Sequence, residues 1–202
     1  EHPEQLDVAS MPQSFVIKSN HGSGNNYIVT DKDTFDCSKY LAEAGRWMAA
    51  DYGIRNHEWA YTKTKRKVLV EAMLKDENGA IPADYKFSMI HGECAFIQVD
   101  QERYGDFTRS LFNADWDYLD VQYKRKKGKA LDRPNNLEKM LAVAQKLSQP
   151  FDYIRVDFYS IGDRIYVGEL TNYPALGRGR ITPSEFDFEV GQRWKLPNRG
   201  KA

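Results

Sequence analysis

Apolar residues cluster over 14–19 and 26–30, which are rich in Val, Ile, Phe and Tyr and predict two strands with a glycine-bearing loop between them. Ser38 then opens a predicted helix in which Tyr40, Leu41, Ala44, Trp47 and Met48 fall at helical spacing, and Gly53 stands where a terminating glycine is expected. The compact run "KVLVEAML" (67–74) predicts another strand. "DYKFSMI" (84–90) and "CAFIQVD" (94–100) predict two more around the tight turn His91-Gly92-Glu93. Residues 101–133 are polar and less regular. Leu137, Met140, Leu141, Ala144 and Leu147 form one stripe of a helix over 136–148, with Asn135 and Glu138 as a capping pair. "YIRVDFYS" and "RIYVGELT" end the pattern as a hairpin around Gly162-Asp163, ahead of a glycine- and arginine-rich tail. Hairpins interleaved with helices predict an α+β protein of mostly antiparallel sheet.

Composition narrows the function classes. The 202 residues are 41% hydrophobic and 13% aromatic, a globular composition, and 29 basic residues balance 29 acidic ones. Net charge therefore selects no polyanionic partner, and such a partner would act through a local patch. Lys124, Arg125, Lys126, Lys127 and Lys129 form one, read either as a solvated loop or as a surface for an anionic polymer; nothing points to specific nucleic-acid recognition. No apolar run approaches the ~20 residues of a membrane-spanning helix. Cys37 and Cys94 match no ligand spacing and suit a reduced, cytoplasmic setting. His21, His57 and His91 are too dispersed to argue a zinc site, and no Gly-x-Ser-x-Gly elbow singles out a nucleophile.

Several groups are candidates for chemistry. In "FVIKSNHGSGNNYIV" (15–29), Lys18, His21, Gly22, Ser23 and Gly24 surround a hairpin tip. Glycine N–H groups turned into one concavity, beside a lysine, bind phosphate; the alternative is an ordinary turn. Strand alternation places Arg155, Asp157 and Tyr159 on one face, and the following hairpin brings Asp157 near Glu169. Opposed carboxylates repel unless a cation lies between them, and magnesium suits carboxylates that share it with phosphate. The competing reading is a surface pair, or Asp157 bridged to Arg155 or Arg164. Glu71 inside "VLVEAML" is either solvent-facing or a ribose or adenine contact. Arg103 and Arg109 flank "YGDFT", and arginine is the side chain best shaped to grip carboxylate or phosphate.

The ordered set "FVIKSNHGSG", "VLVEAML", "DYKF", "FIQVDQERYGDFTR", "PNNLEKMLAVAQKLSQPFDYIRVDFY" and "YVGELTNYPALG" resembles the ATP-grasp superfamily, and within it the TupA-like branch named for teichuronopeptide biosynthesis. The resemblance implies two lobes of mostly antiparallel sheet with a nucleotide between them: an irregular lead-in over 1–13, a glycine-loop lobe over 14–72, a metal-binding lobe over 73–190 and a tail over 191–202. It implies ATP and magnesium as cofactors. Lys18, His21 and the Gly22–Gly24 loop would meet phosphates, Glu71 the adenine, and Lys86 the nucleotide. Arg155 would meet the transferring phosphate; Asp157, Glu169 and Thr171 would ligate magnesium; Arg103 and Arg109 would bind a carboxylate substrate.

The implied activity is carboxylate–amine ligation through an acyl phosphate, with a small-molecule or glycan carboxylate and an amine as partners. It is placed in cell-surface polysaccharide modification, joining an amino acid to a uronic acid sugar. A small-molecule kinase and a non-catalytic nucleotide-binding module are the alternatives. Two positions depart from the superfamily pattern: Thr171 where asparagine is usual, and Ala175 after Pro174 where glycine is usual. Superfamily members also carry an N-terminal lobe with another phosphate-facing lysine, so the resemblance implies that this chain is part of something longer.

Overall fold

A computed structural model describes residues 2–55, 58–101 and 107–196. The chain divides into two compact units, 1–74 and 75–202.

The first unit is built on strands β1 (Phe15–Ser19), β2 (Asn26–Val29) and β3 (Val68–Ala72), in the antiparallel order β2-β1-β3. Alternation along β1 gives the sheet two faces. Phe15 and Ile17 point into a core with Val29 and with Tyr40, Ala44 and Trp47 of helix α1 (Cys37–Ala49). Leu6, Val8 and Met11 of the lead-in pack against the same core through two short 3₁₀ turns. Helix α1 starts one residue before Ser38, capped by the Asp36 carboxylate on the Lys39 N–H at 2.9 Å. It ends at Ala49, so Gly53 is not its terminator. Gly53 lies instead in the short helix α2 (Tyr52–Arg55), where a Cβ would run into the Glu58 carbonyl just before α3 (Trp59–Lys63).

The second unit holds a seven-stranded sheet. Its strands are β4 (Asp84–Ile90), β5 (Glu93–Gln101), β6 (Thr108–Phe112), β7 (Tyr118–Leu119), β9 (Lys126–Lys127), β10 (Tyr153–Ile161) and β11 (Arg164–Thr171). Their order is β11-β10-β4-β5-β6-β7, with β9 parallel beside β6. The stretch 101–133, read as irregular from sequence, thus supplies sheet, and Ser110, Leu111 and Phe112 of β6 are buried. Two-residue turns close both hairpins. His91 and Gly92 have φ of +48° and +84°, the left-handed geometry that matches strand twist, and Gly162 has φ +52°.

Helix α4 (Leu137–Ser148) covers one sheet face, packing Leu137, Met140 and Ala144 on Phe87, Ile97, Val99, Val156 and Phe158. Its predicted cap differs. Asn136 is the N-cap and donates from Nδ2 to Ser160 Oγ (2.9 Å) and to the Gly162 carbonyl (2.7 Å), while Glu138 pairs with Arg133. The N-cap is thus Asn136 and not the expected Asn135, and its side chain fastens the β10–β11 turn instead of capping the helix. A further ladder, β8 (Gln122–Tyr123) with β12 (Ile181–Thr182), leads into α5 (Ser184–Arg193), whose Phe186 and Val190 pack near Phe96 and Tyr123. Among the described residues no helix is long and apolar enough to cross a membrane.

Candidate functional site

On the face of β4, β5 and β10 opposite α4, the register lines up charged residues in rows. Asp157 stands opposite both Glu169 and Lys86, and Lys86 opposite Gln98. The next row runs Tyr159, Asp84, Asp100, Arg109. The row on the other side runs Thr171, Arg155, Ser88. Asp84, Lys86, Gln98, Asp100 and Asp157 are all buried. Buried charges persist only when paired, and here the pairing is explicit. Lys86 Nζ donates to Asp84 Oδ2 and to Asp157 Oδ2, each at 2.6 Å. Arg155 donates to Asp157 through Nε (2.6 Å) and Nη2 (2.7 Å), and Nη2 also reaches Thr171 Oγ1 at 3.0 Å. Its Nη1 has no protein partner among the described residues. Burial works against the Arg155 charge, but the hydrogen bonds and charge of Asp157, with Glu169 and Asp84 beyond, hold its pKa above the ordinary value.

Asp84, Asp100, Asp157 and Glu169 outnumber Lys86, Arg109 and Arg155 by one negative charge on this face. Glu169 stands at the exposed rim, where its Oε1 accepts the Thr171 hydroxyl at 2.5 Å. Two carboxylates and a hydroxyl are hard oxygen donors of the kind magnesium takes when phosphate and water complete its shell. No group of three or more His, Cys, Asp and Glu able to hold a metal occurs among the described residues. Both Asp157 oxygens already accept from cations, so the Arg155 bridge and the carboxylate pairing, alternatives in sequence, coexist in the structure.

Arg109 is committed. Nε and Nη2 grip the Asp100 carboxylate at 2.7 and 3.1 Å, and Nη1 donates to the Tyr123 carbonyl at 3.2 Å. Its guanidinium also lies 5.2 Å from the Tyr123 ring centroid. Burial pushes the Tyr123 phenol up from its ordinary pKa, while Arg109 and Arg155 pull it back. Arg103, the companion expected from sequence, lies outside the described residues, as does His57.

In the first unit, the sheet face away from α1 carries Val16, Ile28 and Glu71 in one row, and Lys18, Asn26 and Leu69 in the next. Lys18 Nζ reaches Glu71 Oε2 at 2.5 Å, so a cation and a carboxylate share a partly exposed surface with apolar neighbours. Ser23 and Gly24 are exposed at the hairpin tip, and Gly24 has φ +80°. Gly22 lies against the Tyr52 ring, leaving little room for a Cβ. His21 is buried, its Nε2 2.7 Å from the Trp47 carbonyl, and its Nδ1 has no partner among the described residues. The loop base is tied to the approach of β3 by Asn20, which exchanges hydrogen bonds with Lys65 and Lys67.

Sequence reasoning passed over Asn20, Gln98 and Asp100. The last two had a readable signal: they alternate with Ile97 and Val99 inside an otherwise apolar strand.

A family model described as TupA-like ATPgrasp matches residues 1–195. No curated protein matches the chain significantly. Similar solved structures include D-alanine–D-alanine ligase from Bacillus anthracis, at 16% identity and TM-score 0.47 over 96% of this chain and 56% of that one. The same enzyme complexed with ATP aligns at 15% identity and TM-score 0.44, over 85% and 44%. D-alanine–D-alanine ligase from Helicobacter pylori aligns at 18% identity and TM-score 0.47, over 93% and 50%. The chain spans about half the length of these relatives.

Proposed function

The chain belongs to the TupA-like ATP-grasp family, and from that premise we propose that it takes part in an ATP-dependent ligation of a carboxylate to an amine. The observation that carries this reading is the Asp157–Glu169 pairing, with Lys86 and Arg155 converging on the same carboxylate. Carboxylate and ATP repel one another, so the chemistry needs preorganised positive charge where the γ-phosphate is attacked. In this reading Lys18 and the Gly22–Gly24 loop hold phosphates, with Glu71 beside the base. Arg155, already oriented by Asp157 and Thr171, offers Nη1 to the transferring phosphate, and Lys86 turns from Asp157 toward it.

Asp157, Glu169 and Thr171 would hold magnesium, which supplies charge neutralisation at the phosphates. The carboxylate oxygen attacks the γ-phosphorus and expels ADP. The amine nitrogen then attacks the acyl carbon of the acyl phosphate and expels phosphate, and the amine proton leaves with solvent. No protein nucleophile takes part. Arg109, held by Asp100, acts in this scheme by fixing β5 against β6. In this reading the carboxylate is that of a uronic acid sugar of a cell-surface polysaccharide, and the amine is that of an amino acid.

The test is calorimetric titration of ATP, with and without magnesium, into the chain and into Glu169→Gln. Magnesium-dependent binding that falls at least ~10-fold in the variant, with the fold intact by circular dichroism, supports the assignment; equal affinity sinks it. Incubation with acid–amine pairs should release ADP and phosphate together with an amide. A phosphorylated hydroxyl and no amide would identify a kinase instead.

A further inference from the structure

The alternation of burial along β1 does not stop where the strand does. Phe15, Ile17 and Ser19 are buried, and His21, two residues past the strand, follows them at 1% exposure. Lys18 belongs to the opposite parity and lies on the sheet face away from α1. The sequence sets both residues near one loop, but the fold sends their side chains apart. His21 as seated has no surface from which to meet a phosphate, while Ser23 and Gly24 of the same loop are exposed.

What His21 does meet is the end of helix α1. Its Nε2 lies 2.7 Å from the Trp47 carbonyl, which assigns the proton to Nε2 as donor. Nδ1 is then a buried acceptor with no donor among the described residues. The last carbonyls of a helix have no partner within it, and here neighbouring segments supply donors. His21 serves Trp47, and Arg66 Nη1 donates to the Met48 carbonyl at 2.5 Å, with Nη2 on the Asp51 carboxylate. Asn20 bonds the backbone on either side of Arg66, at Lys65 and Lys67. Gly22 rests on the Tyr52 ring, where a Cβ would come within 3.1 Å. Three consecutive loop residues are thus fastened to the end of α1 or to the segments that follow it, and the exposed tip begins at Ser23.

We infer that His21 is a positioning residue: it sets the glycine loop by tying it to the last turn of α1, and acts on the nucleotide only through that loop. The second half rests on the reading that the loop holds phosphates; the first does not. A histidine kept for packing alone would be a poor choice, because a buried polar atom left unpaired opposes folding. The Trp47 carbonyl also accepts the Ala50 N–H at 3.1 Å, so it keeps a donor without His21. Leucine in place of the imidazole therefore removes one hydrogen bond and one unpaired nitrogen together, with nearly balancing effects on the fold. What it takes away is the tether of the loop.

The test compares the chain with His21→Leu and with His21→Gln, whose amide restores an N–H donor for Trp47. Hydrogen exchange of the 20–25 backbone is followed by mass spectrometry without ATP, and ATP with magnesium is titrated calorimetrically. His21→Leu should melt within ~3 °C of the parent and exchange faster over 20–25 but not over α1 or β3. It should bind ATP about fivefold more weakly, as the share of correctly placed loops falls by the worth of one hydrogen bond. His21→Gln should return both readings toward the parent. Unchanged loop exchange in His21→Leu, or faster exchange across the whole unit, would overturn the inference. Equal loss of ATP binding in both variants with the loop still protected would mean that the ring meets the nucleotide itself, and would overturn it too. Faster loop exchange with unchanged ATP affinity would overturn the second half. A parent that binds no ATP would refute the phosphate reading instead, and exchange would still decide whether His21 sets the loop.

Discussion

Replacing Lys86 by methionine removes the cation shared by two buried carboxylates while nearly keeping the side-chain volume. Asp84 Oδ2 and Asp157 Oδ2 each lie 2.6 Å from Nζ, so they are no more than about 5 Å from each other. Without the ammonium they repel by ~3 kcal/mol at an effective dielectric constant of about 20. That agrees with the 3–5 kcal/mol typical of breaking a buried pair from one side. Burial of the methionine offsets about 1 kcal/mol, leaving an expected loss of about 2–4 kcal/mol. Urea unfolding followed by circular dichroism should show the midpoint falling by roughly 1–2 M.

Adding Asp84→Asn to the variant should return ~2 kcal/mol by removing the repulsion, a coupling of the size seen for residues in one network. A residue kept only for phosphate would behave in the opposite way, since its removal commonly raises stability. A Lys86→Met loss below 1 kcal/mol, or a second substitution that merely adds its own cost, would refute the charge pairing as drawn.

Ala175 and Leu176 sit at φ +52° and +59°, a region that costs a non-glycine residue about 1–2 kcal/mol. Ala175→Gly should therefore stabilise by about 0.5–1 kcal/mol after its extra unfolded-state entropy, seen as a higher melting temperature. Gly179→Ala should destabilise by about 1–3 kcal/mol, because a Cβ there would enter the Tyr123 ring; a weakened Arg109–Tyr123 contact would appear as altered near-ultraviolet dichroism. Burial pushes the Cys94 thiol up to about 12, with Arg193 only partly opposing it. At pH 8 roughly one part in ten thousand is thiolate, so iodoacetamide should label exposed Cys37 first, and Cys94 only as the pH approaches 12 or the fold opens.

The hairpins and the helix stripes were legible because their signals are local: alternation, glycine turns and helical spacing. "DYKFSMI" coincides with β4 to the residue. The Asp157–Glu169 pairing was legible only as proximity, since register depends on where the bulge between Asp157 and Phe158 falls. The buried row of Asp84, Asp100 and Arg109 was not read, because a charged residue in a strand looks solvent-facing until cross-strand partners are known. Residues 108–127 escaped for a related reason. Their strands are short and join the sheet through distant partners, Ile97 to Phe112 and Thr108 to Lys126. The pairing of Tyr123 with Ile181 crosses more than fifty residues and leaves no mark in local composition.

The charged rows have a consequence for how such chains can change length over generations. Within β4, β5 and β10 every charged group of the rows sits on one parity, and the residues under α4 occupy the other. Inserting a single residue within any of these strands would exchange the two sets beyond that point, driving carboxylates onto Phe87 and Val156 and apolar groups outward. The turns His91-Gly92 and Gly162-Asp163 carry no such constraint. Natural variation in length should therefore gather at those tips and in the connections, while the strands keep their residue count even as their sequences drift.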